Sequence, residues 1–552
     1  MATVTLYFVL LLALTPPLGT WMYRVYSSER IGRIEGLIYR LCAIRPTVEQ
    51  SWRRYASSVL WFSGLCFALT YGVMRLQGVL PLNPSELPGV DPAVAFNTAV
   101  SFITNTNWQA YGGETTMSYL TDMVALTSQS FISAAVGMAV LVAFARGFTQ
   151  VDATRLGNFW KDLVRGVVYI LLPISTLLAL LLISQGVVQT LGGPVEAQIE
   201  RGQTQTIARG PAASQIAIKQ LGTNGGGFFN ANSAHPLENP NAFSNFLQAL
   251  AILLIPASLT YTFGLMVSSK RHGWAILAAM LLILASGVAA TLPSERGATA
   301  AMRAAGIDAS AANMEGKEAR IGVDSSSLWA TAATASSHGG PNSSHASFAP
   351  AGGAVQIANM NMGVFGAVGS GIYSMVFYVI IAVLLGGLMV GRLPEYLGKR
   401  IGAREIKLAI IGVVVSFVFT VGLTGLGAVT APGLEARLNS GAHGFTEILY
   451  AFSSQANNNG ASFAGLDASG PFYAVLGAIA MLFGRYVPMV AALAMAGGLA
   501  QAKDAPAETV GTLRTDTPLF VGLLVGVVLI LSVPFPALSL GPLLVGLEGI
   551  VP

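Results

Sequence analysis

The sequence predicts an all-α polytopic membrane protein of ten transmembrane helices: four similar units, with one extra span at each end. Three observations predict it. Of 552 residues, 53% are hydrophobic and 10% charged, with mean hydropathy +0.62. Soluble domains carry about a quarter charged residues, so this chain needs lipid around it. Runs of about 20 apolar residues, enough to cross some 30 Å of hydrocarbon, recur ten times. Between them, four glycine- and asparagine-rich stretches return at a nearly constant period.

The spans fall near 3–22, 57–80, 123–145, 166–188, 246–268, 273–292, 363–391, 407–430, 471–499 and 517–547. The first differs from a signal peptide, because no positive charge precedes it and the charges follow. Basic residues collect after alternate spans. They are Arg24 to Arg54 after the first, Arg146 to Arg165 after the third, and Lys270 and Arg271 after the fifth. Arg392 to Lys407 follow the seventh, and Lys503 and Arg514 the ninth. The positive-inside rule makes these loops cytoplasmic and puts both termini outside. The main exception is the external stretch 293–325, with Arg296, Arg303, Lys317 and Arg320.

The recurring stretches read ITNTNWQAYGG (103–113), GTNGGGFFNAN (222–232), ASSHGGPNSS (335–344) and ANNNGASFAGL (456–466). With Asn105, Asn224, His338 and Asn459 as equivalent centres, the spacings are 119, 114 and 121 residues. Each follows a segment of about three turns, too short to cross a bilayer. Asp91-Pro92 and Gly210-Pro211 read as helix starts, with Pro at the first helical position. Asp324-Ser325 and Thr446 read as N-caps. Each unit is then a span, a short re-entrant pore helix, a polar filter turn and a second span. The units run 57–165, 166–272, 273–406 and 407–514, with 1–56 before them and 515–552 after.

Non-helical backbone survives at membrane depth only where protein buries it or water lines it. Four such turns on one axis would share a pore. Gly225, Gly226, Gly339 and Gly460 would let carbonyl oxygens face it, and the helix C-termini would favour a cation there. Rings of carbonyls that replace a hydration shell select potassium. The turns hold no Asp or Glu, which fits a divalent cation poorly. A net charge of +4 argues against a nucleic-acid partner. Two cysteines, Cys42 and Cys66, exclude a disulfide framework.

The stretches TNTNWQAYGGETTMSYL, GTNGGGFFNANSAHPLENP, NMEGKEARIG, GRLPEYLGKRI and EILYAFSSQANNNGASFAGL resemble the potassium-binding A chain of the Kdp-type bacterial potassium-transporting ATPase. That family belongs to the superfamily of potassium transporters built from four fused pore units, and the resemblance covers essentially the whole chain. It implies a potassium filter at Asn105, Thr106 and Asn107, at Thr223, Asn224 and Gly225, at Ser337, His338 and Gly339, and at Asn458, Asn459 and Gly460. Gln109 matches a position just beneath the first turn, and His338 stands where the family carries cysteine. It also implies partners in the bacterial inner membrane: a P-type ATPase catalytic subunit, a single-span accessory subunit and a small stabilising peptide. In the family, potassium passes from the filter into an intramembrane tunnel towards the catalytic subunit.

Three functions compete on the residues. One is the non-catalytic, ion-binding subunit of an ATP-driven uptake complex; another is a self-sufficient channel or gradient-driven transporter. The third, a membrane enzyme, lacks a Ser-His-Asp set, a carboxylate pair and metal-ligand spacing. Neither G-x-x-x-x-G-K-[ST] nor D-K-T-G occurs, so there is no ATP site on this chain. Potassium is the one ion implied, as cargo. Charges at membrane depth are costly and often functional, which singles out Glu114, Glu238, Glu395, Glu447 and Arg485. Arg485 reads either as a cation in or below the pore, deflecting potassium from a straight exit, or as an arginine paired to a carboxylate for packing, while Glu114 and Glu238 read either as vestibule charges or as simply solvated acids.

Overall fold

In hydrocarbon a backbone N–H or C=O finds no water, so an apolar run folds as a helix that satisfies its own groups. The computed structural model, which describes every residue except 1, 200–201, 309, 390, 392–393, 503–512 and 533–552, follows that rule. Among the described residues nine helices are long and apolar enough to cross a membrane. The tenth expected span is described as Pro518–Leu531. Its remainder, with Arg392 and Lys503, lies outside the described residues.

Four further helices precede the polar turns: Pro92–Ile103, Ala212–Leu221, Val323–Ala335 and Gly441–Ala456. All four short segments are helical, but only one start falls where the sequence places it. Asp91 caps the first helix by accepting from the N–H groups of Ala93 and Val94. Pro211 is the N-cap of the second rather than its first helical residue. Gly322, at φ +78°, caps the third; Asp324 lies in its first turn and pairs with Arg296. The fourth begins six residues early, after Ser440, so Thr446 is internal and its hydroxyl donates to Ala442 O.

Burial sorts the spans. The helix after each turn is the more enclosed: 83% of Thr121–Thr149, 78% of Ala242–Met266, 67% of Ser370–Met389 and 50% of Pro471–Gln501 is buried in the most apolar window. The helices before the turns fall to 28% for Trp52–Val79, 33% for Phe159–Ser184 and 22% for Ala403–Val429, with Lys270–Glu295 at 61%. Within each unit the helix after the turn, its inner helix, is the more buried of the pair, and three of the four helices before the turns leave most of that window open for lipid.

The expected span 363–391 becomes helical only from Ser370. A helix Pro350–Met362 ends at left-handed Gly363, an irregular stretch follows, and the apolar helix resumes at Ser370. Gly369 in that break has φ +83°, and a Cβ there would lie 2.2 Å from Gly137 O of the first inner helix. Residue hydropathy cannot reveal the break, because GVFGAVG is apolar throughout. Two antiparallel hairpins lie outside the helices, Val195–Gln198 with Thr204–Ile207 and Glu395–Tyr396 with Lys399–Arg400.

Candidate functional site

Each pore helix ends in the same Schellman turn, in which one N–H reaches back five residues to the helix. Thr106 N donates to Ser101 O, Asn224 N to Lys219 O, His338 N to Ala333 O and Asn459 N to Ser454 O, at 2.8–2.9 Å. The preceding residue is left-handed each time: Asn105 at φ +65°, Thr223 at +45°, Ser337 at +53° and Asn458 at +52°. These bonds set the register of the repeat. Thr106, not Asn105, is the equivalent of Asn224, His338 and Asn459, so the first centre moves by one residue.

The next residues close into a ring. A Cβ on Gly225 would lie 2.8 Å from Gly339 Cα and 2.9 Å from Thr106 O. One on Gly339 would lie 2.6 Å from Gly460 Cα, and one on Gly460 2.0 Å from Thr106 O. The four turns thus touch in chain order, each against the next and the fourth against the first. Gly460 has φ +99° and Gly226 +65°, as a left-handed role requires. Gly225 and Gly339 are absent from the left-handed set; close backbone approach is what excludes a side chain there.

Side-chain amides tie the ring at its seams. Asn105 Nδ2 donates to Gly222 O and Thr223 O, and Asn224 Nδ2 to Asn105 Oδ1, joining the first turn to the second. Gly339 N donates to Asn224 O at 3.0 Å, joining second to third. Asn459 Nδ2 donates to His338 O, and Ser337 Oγ to Asn457 O, joining third to fourth. Asn458 Nδ2 donates to Thr106 Oγ1 at 2.9 Å and closes the circle. The inner helices brace it from behind through Ser130, Ser133 and Met481 O, and the irregular stretch before Ser370 does so through the Val368 N–H, which Thr223 Oγ1 accepts. Amide-rich composition therefore serves cross-bracing. Each amide offers both donors and acceptors, so one residue type can hold two turns at once.

A chain folded around one ring of four like turns can be compared as a whole. The profile of the family described as "Potassium-transporting ATPase A subunit" matches residues 5–547. The chain belongs to this family. A "Potassium-transporting ATPase potassium-binding subunit" from Sorangium cellulosum is 54% identical over 98% of this chain and 98% of its own. One from Methylococcus capsulatus is 51% identical over 97% and 96%. Among solved structures, the potassium transporter TrkH from Vibrio parahaemolyticus superposes with TM-score 0.52 at 12% identity, covering 88% of this chain and 96% of that one. That likeness shows a shared helical fold.

In this member of the family the other singled-out residues divide. Gln109 follows the first turn in the chain, and its amide both donates to Gly227 O and accepts from Gly227 N. Glu114 accepts from Asn230 N at 2.8 Å and binds the first unit to the second. Glu238 is not a vestibule charge; it is fully buried, 2.7 Å from Lys219 of the second pore helix. Lys219, the lone charge in GPAASQIAIKQL, is the sequence signal for this pair. Glu447 is buried and caps Leu438 N and Asn439 Nδ2, and Glu395 lies in the second hairpin.

Arg485 sits 2% exposed in the last inner helix, with Nη2 3.4 Å from Ser133 O. Ser133 Oγ in turn donates to Asn105 Oδ1, so one residue separates the guanidinium from the first turn. Arg485 also lines a cavity of about 70 Å³ with Ser337, Asn458, Gly366, Ser370 and Tyr373. That space lies between the pore-helix ends of the third and fourth turns and the broken inner helix. Sequence reasoning missed the break, and with it this chamber.

Proposed function

We propose that the chain is the potassium-binding subunit of an ATP-driven potassium uptake complex, taking external potassium into the ring of turns. The observation that carries this reading is the closed ring of Thr106, Gly225, Gly339 and Gly460. Its support is the family and the curated relatives named as potassium-binding subunits. The ligands would be backbone oxygens of residues 105–107, 223–225, 337–339 and 458–460. Several of these carbonyls already accept a neighbour's N–H, but each carbonyl has a second lone pair to offer an ion. A ring braced by direct bonds holds its carbonyl oxygens in place to replace the hydration shell of the ion.

On this reading the chain is the non-catalytic subunit of the complex, spanning the bacterial inner membrane with both termini outside. ATP chemistry belongs to a P-type ATPase partner, with a single-span accessory subunit and a small stabilising peptide. Arg485 stands beside the chamber under the ring as a fixed cation and would turn the ion towards a lateral path to that partner. The self-sufficient channel is the alternative, and the single fixed charge of Arg485 beside the chamber speaks against it. Potassium and sodium titrations of the purified chain test the proposal: potassium should bind at concentrations where sodium does not. Equal binding of the two ions would overturn it.

A further inference from the structure

A recess opens on the arginine-rich side of the molecule, away from the ring. Helix Arg33–Leu41 is pinned there by the Glu35–Arg165 pair at 2.8 Å and by the Tyr169 hydroxyl donating to Glu35 at 3.2 Å. Its opposite face leaves Ile34, Leu37 and Leu41 56–76% exposed. Apolar residues one turn apart, flanked by Arg33 and Arg40, mark a helix lying in the membrane surface. Beside it is a cavity of about 740 Å³, lined by Ile38, Val48, Phe62 and Trp160, with Arg45 and Arg54 also in the wall.

Its walls are preformed. Asn158 Nδ2 donates to Arg45 O and Val48 O, and Gln50 Oε1 accepts from Phe159 N, which fixes the loop that carries Arg45. Neither arginine forms an ion pair among the described residues. Glu49, the acid of that loop, does not line the space. An apolar recess of ligand size, continuous with a lipid-facing helix and carrying two unpaired guanidinium groups, matches one kind of molecule. We propose that this cavity holds an anionic phospholipid, with acyl chains against Phe62 and Trp160 and its phosphate on Arg45 and Arg54. Guanidinium groups pair with phosphate in bidentate fashion, and a zwitterionic lipid would offset that attraction with its own cation.

Trp160 supplies a reporter. The full chain, with any subunits that co-purify, is reconstituted in vesicles containing brominated phosphatidylglycerol or brominated phosphatidylcholine at equal fractions. The fluorescence component lost in Trp160→Phe is then followed. Each surface arginine strengthens anionic-lipid binding severalfold, so phosphatidylglycerol should quench that component at about tenfold lower fraction than phosphatidylcholine. In Arg45→Gln/Arg54→Gln the two lipids should become equivalent. Equal quenching of the unaltered chain by both lipids would mean ordinary boundary lipid and overturn the proposal. So would a preference that survives in the double variant, or protection from both lipids, which would mean that protein covers the cavity. Should the double variant not fold, the comparison of the two lipids on the unaltered chain still decides.

Discussion

At the scale of single residues, the ring is defined by what cannot be added to it. Gly225→Asp would put a Cβ 2.8 Å from Gly339 Cα and a carboxylate where backbone must approach backbone. We expect potassium affinity to fall about tenfold, equivalent to about 1.4 kcal/mol, with weaker rejection of rubidium and ammonium. Uptake kinetics for the three ions check this; unchanged kinetics would remove the second turn from the filter. His338 behaves differently. Its ring is fully buried, Nδ1 accepts the Gly340 N–H, and Lys219 flanks the same spot, so the imidazole is neutral. Protonation would cost that bond and set a second cation beside Lys219. Potassium affinity should therefore change less than about twofold through this residue between pH 7.5 and 5.5, a window that spans the usual imidazole pKa of about 6.5. His338→Cys serves as the control: a tenfold acid weakening that vanishes in it would show that the ring titrates beside the ion.

At the scale of elements, the four pore helices share one ending and their supports differ. The third inner helix is the exceptional one, split so that residues 363–369 run as open backbone under the ring. Gly369→Ala would drive a Cβ to 2.2 Å from Gly137 O at a φ of +83°. Overpacking and a left-handed alanine together should cost about 2–4 kcal/mol. A lower melting temperature with loss of potassium uptake is the expected outcome, and an unaltered melting temperature would show that the break is free to move. The turns themselves were legible in the sequence, because asparagine and glycine stand out against apolar runs. The register of the first turn was not. Left-handed geometry falls on Asn105, Thr223, Ser337 and Asn458, and no residue type common to the four marks it. Pairing was hidden as well: Glu238 reads as a loop acid until folding brings Lys219 to 2.7 Å. A buried pair of that kind tolerates loss of one partner badly, by about 3–5 kcal/mol.

At the scale of the whole molecule, the proposed role assigns ATP hydrolysis to a partner subunit, so on that reading transport energy arrives from another chain. Expressed alone, the protein should bind potassium and show no ATP-dependent uptake; robust ATPase activity of the purified single chain would contradict the proposed role. Passive flux through the isolated chain measures how well the inner side is closed. Two unit charges roughly 5 Å apart at an effective dielectric of about 20 repel by about 3 kcal/mol. Arg485→Gln should accordingly raise passive potassium flux at least about tenfold. Flux of channel size without the substitution would favour the self-sufficient channel.

The ring is closed by one polypeptide, and its four seams are chemically unlike: amide to carbonyl, backbone to backbone, amide and hydroxyl to carbonyl, amide to hydroxyl. A pore assembled from four identical chains repeats any inherited change fourfold, at every seam together. Here a single codon alters one quadrant and leaves three as they were, so ion preference can drift in small steps. Swapping one quadrant's turn for another's would not be neutral, since each now fits only its own neighbours.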